Sequence, residues 1–329
     1  MTESITWGYA INQWNVRLNV FVRREAHERA FKTLSALGFR TIELAAGSGR
    51  WDNLGRPELI ELGHGSIEGF MRFLNSCGID RVASMFWDPG RPGEEEGWAF
   101  LGTQRRDDHD AILAAATPFL DFLPQVGADR LVVRPVGSAW MTGPLDGEAF
   151  AAVGDLWNRV GERSLESGVR TVLHLDCLSA IHSLDDISAL LAATDPALVG
   201  LAVDTAELTI AGIDPVEFYR AHHDRVRHVH LKNTLFTDSG AQYLQPGAET
   251  AMLNGGDDRG IERWFYELGV EGGLVDVPAF MAALDQFDYS GAVIVESDHG
   301  SNPADLAMLN SWYVQRRLGV DLRSTVPPR

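Results

Sequence analysis

The chain is expected to fold as a single (β/α)8 barrel. Three observations predict this: eight short apolar runs, a helix-length amphipathic pattern after each run, and four residues of metal-binding type near the ends of four different runs in the second half. In a parallel barrel the strand ends converge on one face, so residues distant in sequence meet there. At 329 residues with 45% hydrophobic content, the chain can supply one barrel of roughly 250 residues plus insertions.

The elements follow in order. TWGYAIN (6–12) precedes a helical pattern at 25–37, FRTIELA (39–45) one at 66–77, IDRVASMF (79–86) one at 107–123, and DRLVVRPV (129–136) one at 147–167. VRTVLHLD (169–176) precedes 183–193, VGLAVD (199–204) precedes 214–224, VRHVHLK (226–232) precedes 276–287, and GAVIVES (291–297) precedes 303–317. The runs have the length and apolar character of strands and are bounded by glycine, aspartate or basic residues. Ser183, Asp214 and Asn302 read as helix N-caps, the last two followed by proline in the first turn. Gly38, Gly78 and Gly168 stand where a helix ends and a strand begins. No linker or low-complexity tract interrupts the pattern, so residues 1–329 are expected to form one domain.

The connections after strands two (46–65), three and seven (233–275) are long, about 20, 20 and 40 residues, which in a compact domain marks active-site loops or lids. The segment 233–275 is read as a loop insertion whose WFYELG stretch must dock to be tolerated in water.

Composition excludes several functions. There are 46 acidic and 28 basic residues, a net charge of −18, and such a field repels phosphate backbones. Cys77 and Cys177 are too few for a disulfide framework or a thiolate metal site. No run approaches the roughly 20 apolar residues of a membrane span. MTESITWGYA lacks a basic region followed by an apolar core, so a cytoplasmic location is expected.

His174, Asp204, His230 and Glu296 are the candidate metal ligands. Two imidazoles with two carboxylates suit Mn²⁺, Co²⁺, Zn²⁺ or Fe²⁺. Asp204 and Glu296 close apolar runs, where an unpaired buried carboxylate is costly and a cation removes the cost. Asp176, two residues beyond His174 and on the same side of the strand, is an alternative ligand and a candidate base. Lys232, two beyond His230, is a candidate acid or base, and His174 completes the catalytic candidates. His228 has the same parity as His230 but stands earlier, as a packed or hydrogen-bonded barrel residue. Arg134 either orients a substrate oxygen or pairs with Glu43 or Glu207. Trp14, Trp51, Trp87, Trp98, Trp140 and Trp264 fall in expected loops or strand ends on the ligand face. A wall of indoles suits sugar faces and, better, a flat aromatic aglycone. The expected substrate contacts are Glu43, Arg134, Glu207, Trp14, Trp51 and Trp87.

The order H-L-D, D-T-A-E with I-D-P, H-V-H-L-K-N and V-E-S-D resembles the xylose-isomerase-like barrel superfamily, which includes sugar isomerases and epimerases, inosose dehydratases and endonuclease-IV-type repair enzymes. More narrowly, GYAINQW, VRREAHERAF, ELAAGSGRW and the closing ESD are similar to the larger subunit of bacterial C-glycoside deglycosidases. The resemblance implies one metal ligand on each of strands five to eight, with Mn²⁺ foremost. His174 stands where keto-sugar epimerases place a glutamate, and Glu207 where many relatives place the histidine of D-T-x-H, which weakens both a two-carboxylate epimerase and a three-metal nuclease. The implied activity is elimination from a 3-keto glycoside, with an inosose-dehydratase-like lyase or a keto-sugar isomerase or epimerase as the alternative. A small partner subunit and an oligomeric assembly are further implications.

Overall fold

The eight apolar runs become eight parallel strands. The computed structural model describes residues 5–14, 24–46, 55–89, 101–248, 264–297 and 302–323. Its strands are β1 (Thr6–Ala10), β2 (Thr41–Ala46), β3 (Arg81–Trp87), β4 (Arg130–Val133), β5 (Arg170–His174), β6 (Val199–Asp204), β7 (Val226–Leu231) and β8 (Ala292–Val295). Each pairs with its sequence neighbour, and β8 pairs with β1 to close the barrel. The surrounding helices include α1 (Arg24–Ala36), α2 (Pro57–His64), α3 (Ile67–Ser76), α4 (His109–Phe122), α5 (Gly147–Glu166), α6 (Leu184–Ala193), α7 (Thr205–Ile210), α8 (Pro215–His222), α9 (Val277–Gln286) and α10 (Pro303–Arg316).

Alternation along each strand divides the apolar side chains into two sets. The outward set, such as Leu131, Val133, Leu173 and Leu201, packs with Phe31, Phe70, Trp157 and Phe280 of the helices in one continuous core. The inward set is smaller. Ala10, Ala83 and Ile294 form one cluster, and Val132, Val172 and Ala202, joined by Phe86, form another. These side chains, mostly alanine and valine, fill the barrel interior, where space is limited. The polar residues of the inward set lie at mid-strand, as Glu43, Ser84 and His228, and nearer the strand ends, as His174, Asp204 and His230.

Local chemistry sets the boundaries. Ser183 and Asp186 form a reciprocal capping box at the start of α6, and Asp214 and Asn302 accept backbone N–H bonds at the starts of α8 and α10. Gly78 and Gly168, at φ 83° and 72°, take the left-handed conformation that ends α3 and α5 and that side chains disfavour.

Three elements differ from expectation. β1 stops at Ala10, and Ile11–Gln13 turns into a short 3-10 helix. The 46–65 connection contains α2, opened by Pro57 in its first turn. α7 begins directly after β6 because the Asp204 carboxylate caps it, accepting from the N–H groups of Ala206 and Glu207. Within 233–275, Asn233 and Tyr266 form an antiparallel bridge, and Trp264, Phe265 and Leu268 are buried. No helix among the described residues is long and apolar enough to cross a membrane.

Candidate active site

The residues picked out at the ends of β5 to β8 converge. Asp204 divides its two oxygens between two tasks: Oδ1 caps α7 at 3.0 Å from the N–H groups of Ala206 and Glu207, while Oδ2 faces the barrel mouth. There it lies 3.3 Å from His174 Nε2 and 3.7 Å from His230 Nδ1. Glu296 Oε2 is 3.3 Å from the same His230 Nδ1. Donor atoms of a four-coordinate ion with bonds of about 2.1 Å stand about 3.4 Å apart, so these separations fit a divalent cation. His230 adds a second sign of fit, since its Nδ1, which faces Asp204 and Glu296, is buried without a hydrogen-bond partner. The donor set is the imidazole and carboxylate mixture of transition-metal sites.

Burial and the charges of the carboxylates and Lys232 set the electrostatics of the cage. Burial pushes the Asp204 carboxyl up, but the ammonium of Lys232 and the hydrogen bonds and charge of the histidines outweigh it, leaving the group well below the usual carboxylate range. Burial pushes His230 down, yet the charges of Glu43 and Glu296 carry it well above the usual histidine value. In His174 burial dominates over Asp204 and the pKa is lowered, which favours the neutral ring that a metal needs as a ligand.

Glu43 is not placed as a substrate contact. It sits on β2 beneath the mouth, only 3% exposed, where Ser84 Oγ donates to its Oε2 at 2.6 Å and His228 Nε2 lies 2.9 Å from the same oxygen. Its Oε1 lies 2.8 Å from His230 Nε2. Both oxygens are thus occupied by residues of the barrel interior, and the carboxylate fixes the far side of His230. His228 is fully buried and hydrogen-bonded, as its position in the strand indicated. Glu43, His228 and His230 themselves form a second group with ligand atoms within 4.8 Å, sharing His230 with the trio of His174, Asp204 and His230. The two carboxylates and the second imidazole around Nδ1 make the mouth the better cage.

Arg134 pairs with neither Glu43 nor Glu207. Its guanidinium lies between Asp88, at 3.2 Å, and Asp176, at 2.9 Å, with a side chain 2% exposed. Asp176 also accepts the Leu178 N–H at 2.7 Å, so it is oriented as a carboxylate beside the cage and is not the β5 member of it. Lys232 Nζ stands 3.0 Å from Asp204, 3.3 Å from Glu296 and 3.8 Å from Glu207, with the Phe265 ring 3.9 Å away. Glu207 accepts the Cys177 N–H at 3.0 Å. Burial and the charge of Asp176 push its carboxyl up to about 8, with Lys232 pulling the other way.

The expected wall of tryptophans is largely absent from the described mouth. Trp87 is 3% exposed and packs against Phe119 of α4 and Trp157 of α5, because it follows the inward Phe86 and therefore faces the helices. Trp14 packs edge-on against Tyr9 and the outer core. Trp264 is buried in a cluster with Tyr243, Leu178 and Ile210. Trp140 is 43% exposed in a short helical turn, and Trp51 and Trp98 lie outside the described residues. Two site residues were missed in the sequence. Asn12 Nδ2 donates to Glu296 Oε1 at 2.5 Å, and Asp88 holds Arg134. Each follows the end of an apolar run, the same signal that picked out His174.

Comparisons with known proteins identify the family and the fold. The family model described as the xylose isomerase-like TIM barrel matches residues 31–312. An inosose dehydratase from Lacticaseibacillus casei is 25% identical over 236 residues, 68% of this chain and 75% of that protein. Another, from Clostridium beijerinckii, is 26% identical over 213 residues, 60% and 68% of the two chains. Among solved structures, a probable 3-DHS dehydratase from Bacillus anthracis superposes with TM-score 0.70 at 11% identity, covering 95% of this chain and all of that one. A D-allulose 3-epimerase from Methylomonas sp. gives 0.66 at 18% identity, covering 95% and 98%. With its closed barrel, its candidate ligands at the strand ends and a family match over most of its length, this chain belongs to the xylose isomerase-like TIM barrel family.

Proposed function

We propose that this protein is a divalent-metal-dependent dehydratase that eliminates water from a small cyclic keto-polyol of the inosose type. The observation that carries the reading is His174 Nε2 beside Asp204 Oδ2 at the end of β5. An imidazole at that position leaves the cage without the second carboxylate base that a two-face epimerisation uses, while elimination needs one base and one acid. The inosose dehydratase relatives support the same choice. The deglycosidase alternative draws on the GYAINQW, VRREAHERAF, ELAAGSGRW and ESD stretches and on an aromatic mouth, and of that mouth Trp87 and Trp264 are spent on packing.

A divalent ion held by His174, Asp204, His230 and Glu296 would supply Lewis-acid polarisation of the substrate carbonyl, acidifying the adjacent C–H. Asp176 takes that proton. Arg134 and the Leu178 N–H hold its two oxygens in place, and its side chain, 12% exposed, is more open than those of Asp204 and Glu296 at 0% and 4%. Lys232 gives a proton to the departing β-hydroxyl. The α C–H and β C–O bonds break, a C=C bond forms, and one water leaves, so no redox partner is needed. Phe265, over the lysine, limits water around the ammonium.

The test is incubation of the Mn²⁺-loaded protein with an inosose in D₂O, followed by NMR. The expected result is loss of one water per turnover, a product with no hydrogen on the former α carbon, and deuterium at that carbon in the recovered substrate. Chelator should abolish the reaction, with Mn²⁺ or Co²⁺ restoring it better than the oxygen-preferring Mg²⁺. Reversible change of configuration without water loss would make the protein an epimerase, and aglycone release from a 3-keto glycoside would restore the deglycosidase reading.

A further inference from the structure

Lys232 stands where the cage is most negative. Its Nζ contacts Asp204 Oδ2 and Glu296 Oε2, the same two oxygens that face His230 Nδ1. A lysine ammonium and a divalent cation drawn to the same two oxygens repel each other, and each loses attraction when the other is present. A third carboxyl lies within reach, since Glu207 Oε1 is 3.8 Å from Nζ, and closing by about 1 Å would make a charge-assisted hydrogen bond.

We infer that Lys232 is a displaceable counter-ion: its ammonium neutralises Asp204 and Glu296 in the metal-free protein and passes to Glu207 when the cation binds. Lys232 thereby lowers the affinity for the cation, and Glu207 restores part of it. The inference rests on the metal-cage reading above.

The surroundings suit such a transfer. The Lys232 backbone is fixed, its carbonyl accepting from Thr205 Oγ1 at 2.7 Å and its N–H donating to the same oxygen at 3.1 Å. Only the flexible side chain has to rotate. Glu207 is held by the Cys177 N–H on Oε2, which leaves Oε1 turned toward the lysine. The Phe265 face, 3.9 Å from Nζ, offers a cation-π surface along which the charge remains stabilised as it moves.

Mn²⁺ affinity, measured by calorimetry on the metal-free full-length protein, tests this in a double-mutant cycle of wild type, Lys232→Met, Glu207→Gln and the double variant. Lys232→Met should bind Mn²⁺ about tenfold more tightly, and Glu207→Gln several-fold more weakly. In the methionine background Glu207→Gln should have no effect, because no ammonium remains to be received. Unchanged or weaker binding by Lys232→Met, or a Glu207→Gln effect of equal size in both backgrounds, would overturn the inference. Lys232→Gln repeats the arm if the methionine variant does not fold. A wild type that binds no Mn²⁺ would fail differently, removing the cage itself.

Discussion

The two halves of the barrel mouth use polar residues in opposite ways. β5 to β8 end in His174, Asp204, His230 and Glu296, whose donor atoms face one another. The first four strands and their ends provide Asn12, Glu43, Asp88 and Arg134, each of which is committed to a neighbour: Asn12 to Glu296, Glu43 to His230, Asp88 to Arg134, and Arg134 to Asp176. One half offers donor atoms and the other holds them in orientation. Bracing from the opposite wall fixes the orientation of Glu296, His230 and Asp176, while Lys232 pairs with the Asp204 and Glu296 oxygens that face the mouth.

Breaking the donor half should give the largest effects. Glu296→Ala and Asp204→Ala should each eliminate Mn²⁺ retention after dialysis and reduce turnover by more than about 10³-fold, since the Lewis acid is lost. They should differ in stability. Asp204→Ala also removes the α7 cap, at a cost of about 1 kcal/mol, while Glu296 caps no helix among the described residues. Full metal occupancy in both variants would remove the cage.

Asp176→Asn separates acid–base work from metal holding. Metal content should remain at the wild-type level while turnover falls about 10²- to 10⁴-fold, and deuterium exchange at the α carbon should disappear with it. A variant that still exchanges deuterium but no longer releases water would move the base elsewhere and leave Asp176 a positioning role.

Much of the donor half was legible in the sequence because it follows a simple rule: a polar residue closing an apolar run, with inward parity. His174, Asp204, His230 and Glu296 all obey it. The bracing half was less legible for two physical reasons. The register shifts between Ile42 and Glu43 on β2 and between Leu201 and Ala202 on β6 alter which depth a mid-strand residue occupies, so Glu43 could not be recognised as a partner of His228 and His230. Asn12 and Asp88 obey the strand-end rule but carry no metal or catalytic signature alone. Asp204 shows a further limit. The sequence offered it as a ligand, and in the structure its second oxygen also caps α7.

Glu43→Gln tests the bracing half directly. It leaves every cage atom in place but weakens the charge facing His230 Nε2, so Mn²⁺ affinity should fall about 10- to 100-fold with turnover largely recovered at saturating Mn²⁺. Calorimetry together with turnover measured against Mn²⁺ concentration distinguishes this from a lost catalytic group, in which case added metal would restore nothing. Asn12→Ala should act in the same direction and more weakly, because Glu296 keeps its contacts to His230 and Lys232.

The smallest effect on chemistry is expected at Trp87, which belongs to neither half. Its indole lies behind β3, against Phe119 and Trp157, and one residue along the strand Phe86 turns inward to stand edge-on to His174, with ring centroids 5.4 Å apart. Trp87→Leu should therefore cost about 1–3 kcal/mol of stability through lost packing, seen as a lower denaturation midpoint, with KM and Mn²⁺ affinity unchanged. Phe86→Leu should do the reverse, altering Mn²⁺ affinity or KM through His174. A Trp87→Leu variant of normal stability but weakened substrate binding would return that indole to the mouth, and with it the aromatic-aglycone substrate that the packing of Trp87 argues against.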